Sequence, residues 1–181
     1  MFKLEEGTQI LAADQFALPT GEFDRIQHVS VRFLKGKTPK HWKDFSDDES
    51  NWASLPLEET GLMAEQLKNA IINGKVHDLC LSFEPWGEDD FLSVDFDKGW
   101  AAILYNACDE CAAAPCDPDR PGGLEDAPVD IGGQTPVPKM CGVEGLEKAA
   151  RIVLYMLETG KLLPETKWAV NLEGDLPWLF W

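Results

Sequence analysis

Three short runs of alternating apolar and polar residues constrain the fold of this chain more than any other feature. Leu79, Leu81 and Phe83 form the first, Leu92, Val94 and Phe96 the second, and Ala102 with Leu104, after Trp100, the third. A period of two places one set of side chains on a buried face, as in a half-buried β-strand. The connections are Pro85-Trp86-Gly87-Glu88-Asp89-Asp90 and Asp97-Lys98-Gly99, both rich in turn formers. Connections this short join antiparallel neighbours, so the block is expected to be a three-stranded meander. Ser93, Asp95 and Asp97 fall on the opposite face from Leu92, Val94 and Phe96. That face is expected to be wet and negatively charged.

Flanking patterns extend this core. Val29, Val31 and Phe33 alternate with His28, Ser30 and Arg32 and read as another strand. The stretch 35–51 is polar, and Trp42 and Trp52 fall in or beside it. From Leu57 to Asn73 the apolar positions Met63, Leu67, Ala70 and Ile71 recur at helical spacing, and Gly74 supplies a stop. A second helix is expected from near Val143 to Glu158, with Val143, Leu146, Ala150, Val153 and Leu157 on one stripe. Glu144 with Lys148 and Glu147 with Arg151 are spaced for ion pairs along it. Gly160 stops this helix, Trp168 to Val170 reads as a closing strand, and Val129 to Ile131 as a short one. Between them, residues 107–128 are dominated by Cys, Pro, Asp and Gly without a period, so a long surface loop is expected there. With no repeat and no linker, residues 1–181 read as a single α+β domain, a mainly antiparallel sheet with helices packed on one face.

The charge balance narrows function. Lys and Arg total 16 against 32 Asp and Glu, a formal net charge of -16. Such a chain repels nucleic acid and anionic membranes and is steered toward cationic surfaces. Seven Trp and nine Phe supply apolar area for a core, so the charge does not imply disorder. The acidic start, Met1-Phe2-Lys3-Leu4-Glu5-Glu6, is unlike a secretory signal, and no apolar run is long enough for a membrane span. A cytoplasmic location with five reduced cysteines is the expectation.

Candidate chemistry is sparse. Cys108, Cys111, Cys116 and Cys141 offer four thiolates for a tetrahedral zinc site that would staple the loop, against the alternative of unpaired thiols. Asp95-Phe96-Asp97 and Asp117-Pro118-Asp119 lack the further ligands of a calcium loop and read as turn acids. His28, His41 and His77 have no paired spacing, and no nucleophile elbow or phosphate-binding loop occurs. Carboxylates are too numerous to single out an acid–base pair. Trp86 beside Glu88, Asp89 and Asp90, and the loop acids Asp109, Glu110, Asp117 and Asp119, have the makings of a hot spot for an Arg- or Lys-bearing partner. The apolar tail Leu176-Pro177-Trp178-Leu179-Phe180-Trp181 either folds back into a groove or marks an interface with a second copy.

Val129-Asp130-Ile131-Gly132-Gly133, Val137-Pro138, the helix through Glu158, Thr159-Gly160-Lys161-Leu162-Leu163-Pro164 and Trp168 together resemble the ending of the first, deaminase-associated class of bacterial polymorphic-toxin immunity proteins. With the meander from Asp78 to Asn106, the resemblance covers roughly residues 57–171. It implies a protein that protects its producing cell by covering the active site of a cognate toxin, often a nucleic-acid deaminase or nuclease. Such a toxin needs a basic cleft, to which an acidic, aromatic-bearing surface is complementary. The contact residues named above rest on charge and loop position alone. A zinc-stapled adaptor and a carboxylate-dependent enzyme acting on a cationic or sugar substrate are the alternatives.

Overall fold

The three alternating runs pair as neighbours in the computed structural model, which describes residues 2–18, 22–40, 42, 46–47, 52–55, 60–85, 91–107 and 111–172. In chain order the strands are β1 (Gln9–Ala12), β2 (His28–Phe33), β3 (Ser46–Asp47), β4 (Trp52–Leu55), β5 (Val76–Ser82), β6 (Phe91–Asp97), β7 (Trp100–Ala107), β8 (Cys111–Cys116), β9 (Asp126–Ile131), β10 (Thr135–Pro138), β11 (Gly142–Glu144) and β12 (Lys167–Asn171). Helix α1 (Thr60–Ile72) precedes β5, and α2 (Leu146–Thr159) precedes β12. Among the described residues ten strands form one sheet, in the order β1-β12-β8-β7-β6-β5-β2-β4-β3 with β11 also on β7. Every pairing is antiparallel. This is the α+β architecture that the alternation implies.

The meander β5–β6–β7 is tightly registered, with Leu79 opposite Val94 and Val94 opposite Ile103. Lys98 (φ 48°) and Gly99 (φ 80°) form the two-residue turn between β6 and β7. Two successive positive φ values are what a primed hairpin turn demands of its central pair. One face of the sheet carries Val29, Val31, Leu79, Leu81, Leu92, Val94, Ile103, Tyr105, Trp168 and Val170, all buried. Leu67 and Ile71 of α1 and Ile152, Val153 and Met156 of α2 join the same cluster, and the two helices touch each other. Trp42, inside a stretch of polar sequence, is fully buried edge-on against Phe33 at 5.4 Å between ring centres. Helix α2 ends at Gly160 (φ 69°), whose N–H donates to the Met156 carbonyl at 2.7 Å.

Three expectations are corrected. Residues 107–128 are not one long surface loop, because Cys111–Cys116 form β8, buried throughout between β7 and β12. A strand covered on both faces has no alternation to display, and its run of alanines has low strand propensity. Pro115 is tolerated because β8 pairs with β7 only as far as Ala113, so one side of the strand then needs no ladder donor. Helix α2 starts at Leu146 rather than Val143, and Val143 belongs to β11. Glu144 therefore lies outside the helix and pairs with Arg120 at 2.9 Å, while Arg151 meets Glu165 at 3.4 Å.

The third correction concerns the second face of the sheet, which is not simply wet. The β9–β10 hairpin lies over β6 and β7. Ala127, Val129, Val137 and Met140 pack there on Ala102, Ala112, Ala114 and Ala169. These small residues let the hairpin approach closely: a Cβ added at Gly142 would sit 3.1 Å from both Ala127 Cβ and the Trp100 ring. Trp100 is half-buried in this layer, with the Arg120 guanidinium 5.0 Å from its ring centre.

Candidate acidic binding cleft

The pairing of β2 with β5 slips by one residue between Arg32, opposite Asp78, and Phe33, opposite Val76. His77 is the extra residue of this bulge, and bulges re-aim side chains. As a result Arg32, His77 and Asp78 converge. The Arg32 guanidinium contacts Asp78 Oδ2 twice, with Nε donating at 2.8 Å. His77 Nδ1 lies 2.7 Å from the same oxygen. Asp78 is 7% exposed, and its other oxygen, Oδ1, is buried without a hydrogen-bond partner. Asp78 thus concentrates all three contacts on one oxygen.

Across the ladder, Asp78 stands opposite Asp95 of β6. Burial pushes the Asp95 carboxyl above its ordinary value. A hydrogen bond from the Gly132 backbone in the hairpin turn, with His77 and Arg32, opposes the rise, while the negative Asp78 adds to it. Beside Asp95 a cleft of about 450 Å³ opens between the β6–β7 turn and the β9–β10 hairpin. His77, Asp95, Asp97 and Lys98 line it from the sheet, Asp130 and Gly133 from the hairpin, and Leu34, Ile71 and Leu146 give it an apolar wall. In and beside it four carboxylates (Asp78, Asp95, Asp97, Asp130) face two fixed cations (Arg32, Lys98). Such a concavity attracts a positive group with an aliphatic stem. A larger cleft, of about 540 Å³, lies between residues 13–18 and the end of α2. Its charges balance, Asp14 and Asp24 against Arg25 and Lys161.

Few of the residues singled out by sequence fall among the described ones. Trp86, Glu88, Asp89, Asp90, Cys108, Asp109, Glu110 and the tail from 173 onward lie outside the described residues, as does the Trp52 side chain. The strand ends that flank the first two groups are nonetheless placed. Ser82, Phe91, Asn106 and Ala112 follow one another across the ladders at one end of the sheet, with Asn171 next in line. Asp117 and Asp119 follow Cys116, which faces Lys167 at the opposite end, the end that also holds the β6–β7 turn. Asp117 is 3.9 Å from Arg120 and Asp119 is exposed. The three described cysteines of the proposed zinc set do not converge: Cys111 belongs to the core under the helices, whereas Cys116 and Cys141 belong to the layer beneath the hairpin. Positions 111 and 116 are an odd number apart on one strand, so they point to opposite faces. Among the described residues no three His, Cys, Asp or Glu side chains group as a metal site, and no helix is long and apolar enough to cross a membrane.

Sequence reasoning missed the Arg32–His77–Asp78 cluster because its members are joined only through register. Aligning the alternating runs at 29–33 and 79–83 as an antiparallel pair was the available signal. No family model, no curated protein and no solved structure matches this chain. Its own geometry is therefore the basis for a functional reading.

Proposed function

We propose that this chain is an immunity-type inhibitor that binds a cognate bacterial toxin with a basic, nucleic-acid-handling surface and covers its active site. The observation that carries the reading is Asp95, a half-buried carboxylate held beside Asp97 and Asp130 in an acidic cleft. Burial disfavours the Asp95 charge in the free protein, so an Arg or Lys side chain entering the cleft relieves a penalty already present. The net charge of -16 steers such a partner in. Acids at 88–90 and 109–110 belong to the β5–β6 and β7–β8 connections, and the strand ends that flank those connections are neighbours at the other end of the sheet. Inhibition by occlusion asks no chemistry of the inhibitor.

The test is retention of proteins from the producing cell's lysate on the tagged chain at low and high salt, followed by an activity assay of whatever is retained. One basic, nucleic-acid-acting partner, bound stoichiometrically and silenced by the chain, is the expected result. Asp95→Asn with Asp97→Asn and Asp130→Asn weakens that complex if the cleft is in the interface, and Asp89→Lys with Asp90→Lys weakens it if the 86–90 connection is. No stoichiometric partner, or a partner that stays fully active in the complex, removes the inhibitor reading. A carboxylate-dependent enzyme is the second reading, favoured by the cross-strand Asp78–Asp95 pair beside His77. Turnover of a cationic or sugar substrate that is lost in Asp95→Asn would replace the first reading with it.

A further inference from the structure

Cys116 closes β8 and Cys141 immediately precedes β11, and the two meet in the apolar layer under the β9–β10 hairpin. The Asp117 N–H donates to the Met140 carbonyl at 2.7 Å, so the peptide groups beside the two cysteines are already joined. The thiols themselves are hydrogen-bonded to each other, and neither is in a disulfide. Cys116 is 6% exposed and Cys141 is fully buried. We propose that Cys116 and Cys141 form a dithiol oxidation site whose disulfide locks the base of the hairpin that walls the acidic cleft.

The pair is asymmetric in a way that assigns roles. The bond from Cys141 lowers the Cys116 pKa against the opposing effects of burial and Asp117, with Lys167 across the ladder helping. The same bond, together with burial, pushes Cys141 up. Cys116 is thus the more acidic thiol of the pair, the one that ionises to attack, and Cys141 is the resolving thiol. A small oxidant such as hydrogen peroxide suits the slight exposure of Cys116. The thiolate attacks one peroxide oxygen, the O–O bond breaks, and hydroxide leaves a sulfenic acid on Cys116. The Cys141 sulfur then attacks the Cys116 sulfur, the S–O bond breaks, and the hydroxyl departs as water with the Cys141 proton. Two thiols and one peroxide give one disulfide and two waters.

The other described cysteines are placed differently. Cys111 faces the helix-side core, and Cys80 lies three strands away in β5. Burial and the nearby Asp78 push the Cys80 thiol up to about 11, which keeps it protonated and unreactive at neutral pH. The cross-link would enclose residues 117–140, the segment that supplies Asp130 and Gly133 to the cleft.

The test is peroxide treatment of the reduced full-length chain, alkylation of the remaining thiols, proteolysis and mass mapping. A linked peptide pair containing Cys116 and Cys141 is expected, with Cys116 consumed about tenfold faster than Cys80. Amide exchange across 126–138 is expected to slow in the oxidised protein. Recovery of both cysteines as alkylated thiols, of Cys116 as a sulfinic acid without a link, or of Cys116 linked elsewhere overturns the proposal. The wild-type map decides the matter even if Cys141→Ser fails to fold. Where Cys116→Ser folds, it abolishes the link and leaves the exchange rates indifferent to peroxide.

Discussion

Replacing Arg32 with Met removes the guanidinium from a carboxylate that has almost no access to water. Asp78 is 7% exposed, and three of its contacts converge on Oδ2, two of them from Arg32. Stripping one partner from a buried ion pair costs about 3–5 kcal/mol. Here the Arg32 side chain is 39% exposed, so part of its attraction is already screened, and His77 remains beside the carboxylate. A loss of about 2 kcal/mol is therefore expected, a drop in Tm of roughly 4–8 °C for a chain of this size. Met keeps the stem's contacts, so the loss reports charge rather than packing. Urea unfolding of the wild type, Arg32→Met, Asp78→Leu and the double variant closes the cycle. The double variant should regain most of what Arg32→Met loses, because it leaves no orphaned charge. A single-variant cost under about 0.5 kcal/mol, or a double variant no better than Arg32→Met, would refute the claim that a buried charge is being compensated.

Asp95→Asn should stabilise the free protein at neutral pH. A carboxyl whose folded pKa is raised favours folding only while protonated, so its contribution falls as pH climbs above the ordinary carboxylate value. Melting curves of the variant and the wild type should coincide near pH 3 (approximately) and separate toward about pH 7, the variant melting higher; a constant gap would contradict the burial argument. Gly160→Ala forces a left-handed residue into a site where its Cβ would lie 2.3 Å from the Asp24 carbonyl oxygen, and a loss of about 3 kcal/mol in urea unfolding is expected. Leu81→Ala, at a fully buried position in the helix-side core, should also cost about 3 kcal/mol, with the m-value unchanged.

Much of this fold could be read from period alone. The strand at 28–33, β6 and both helices each bury one face, and one-sided burial writes itself into sequence as alternation or a stripe. In β7 the run Trp100, Ala102 and Leu104 faces the hairpin instead, while Ala101, Ile103 and Tyr105 face the helices, because this strand is covered on both sides. β8 escaped because it is covered on both sides, and Trp42 because its neighbours are polar although its ring is not. Asp95 and Asp97 were legible as a charged face, but not as a cleft. The hairpin that makes the cleft lies over β6 from residues 126–138, and nothing in its sequence names the strand it covers. His77 looked solitary because a bulge is a property of two strands, and only one of them contains the histidine.

The position of β8 has a consequence for how the chain reaches its native state. β8 runs beside β7 for three residues only, and β12, more than fifty positions later, supplies the longer ladder along Ala112–Cys116 and then carries β1 on the other side. The meander can zip from local turns, but the half of the sheet beyond β7 must wait for a segment that follows α2. Closing that gap is a long-loop event with its entropy lost before its contacts form. During synthesis, the alanine face of β8 would emerge well before its cover, making this strand the point at which a nascent or partly unfolded chain is most open to the wrong neighbour.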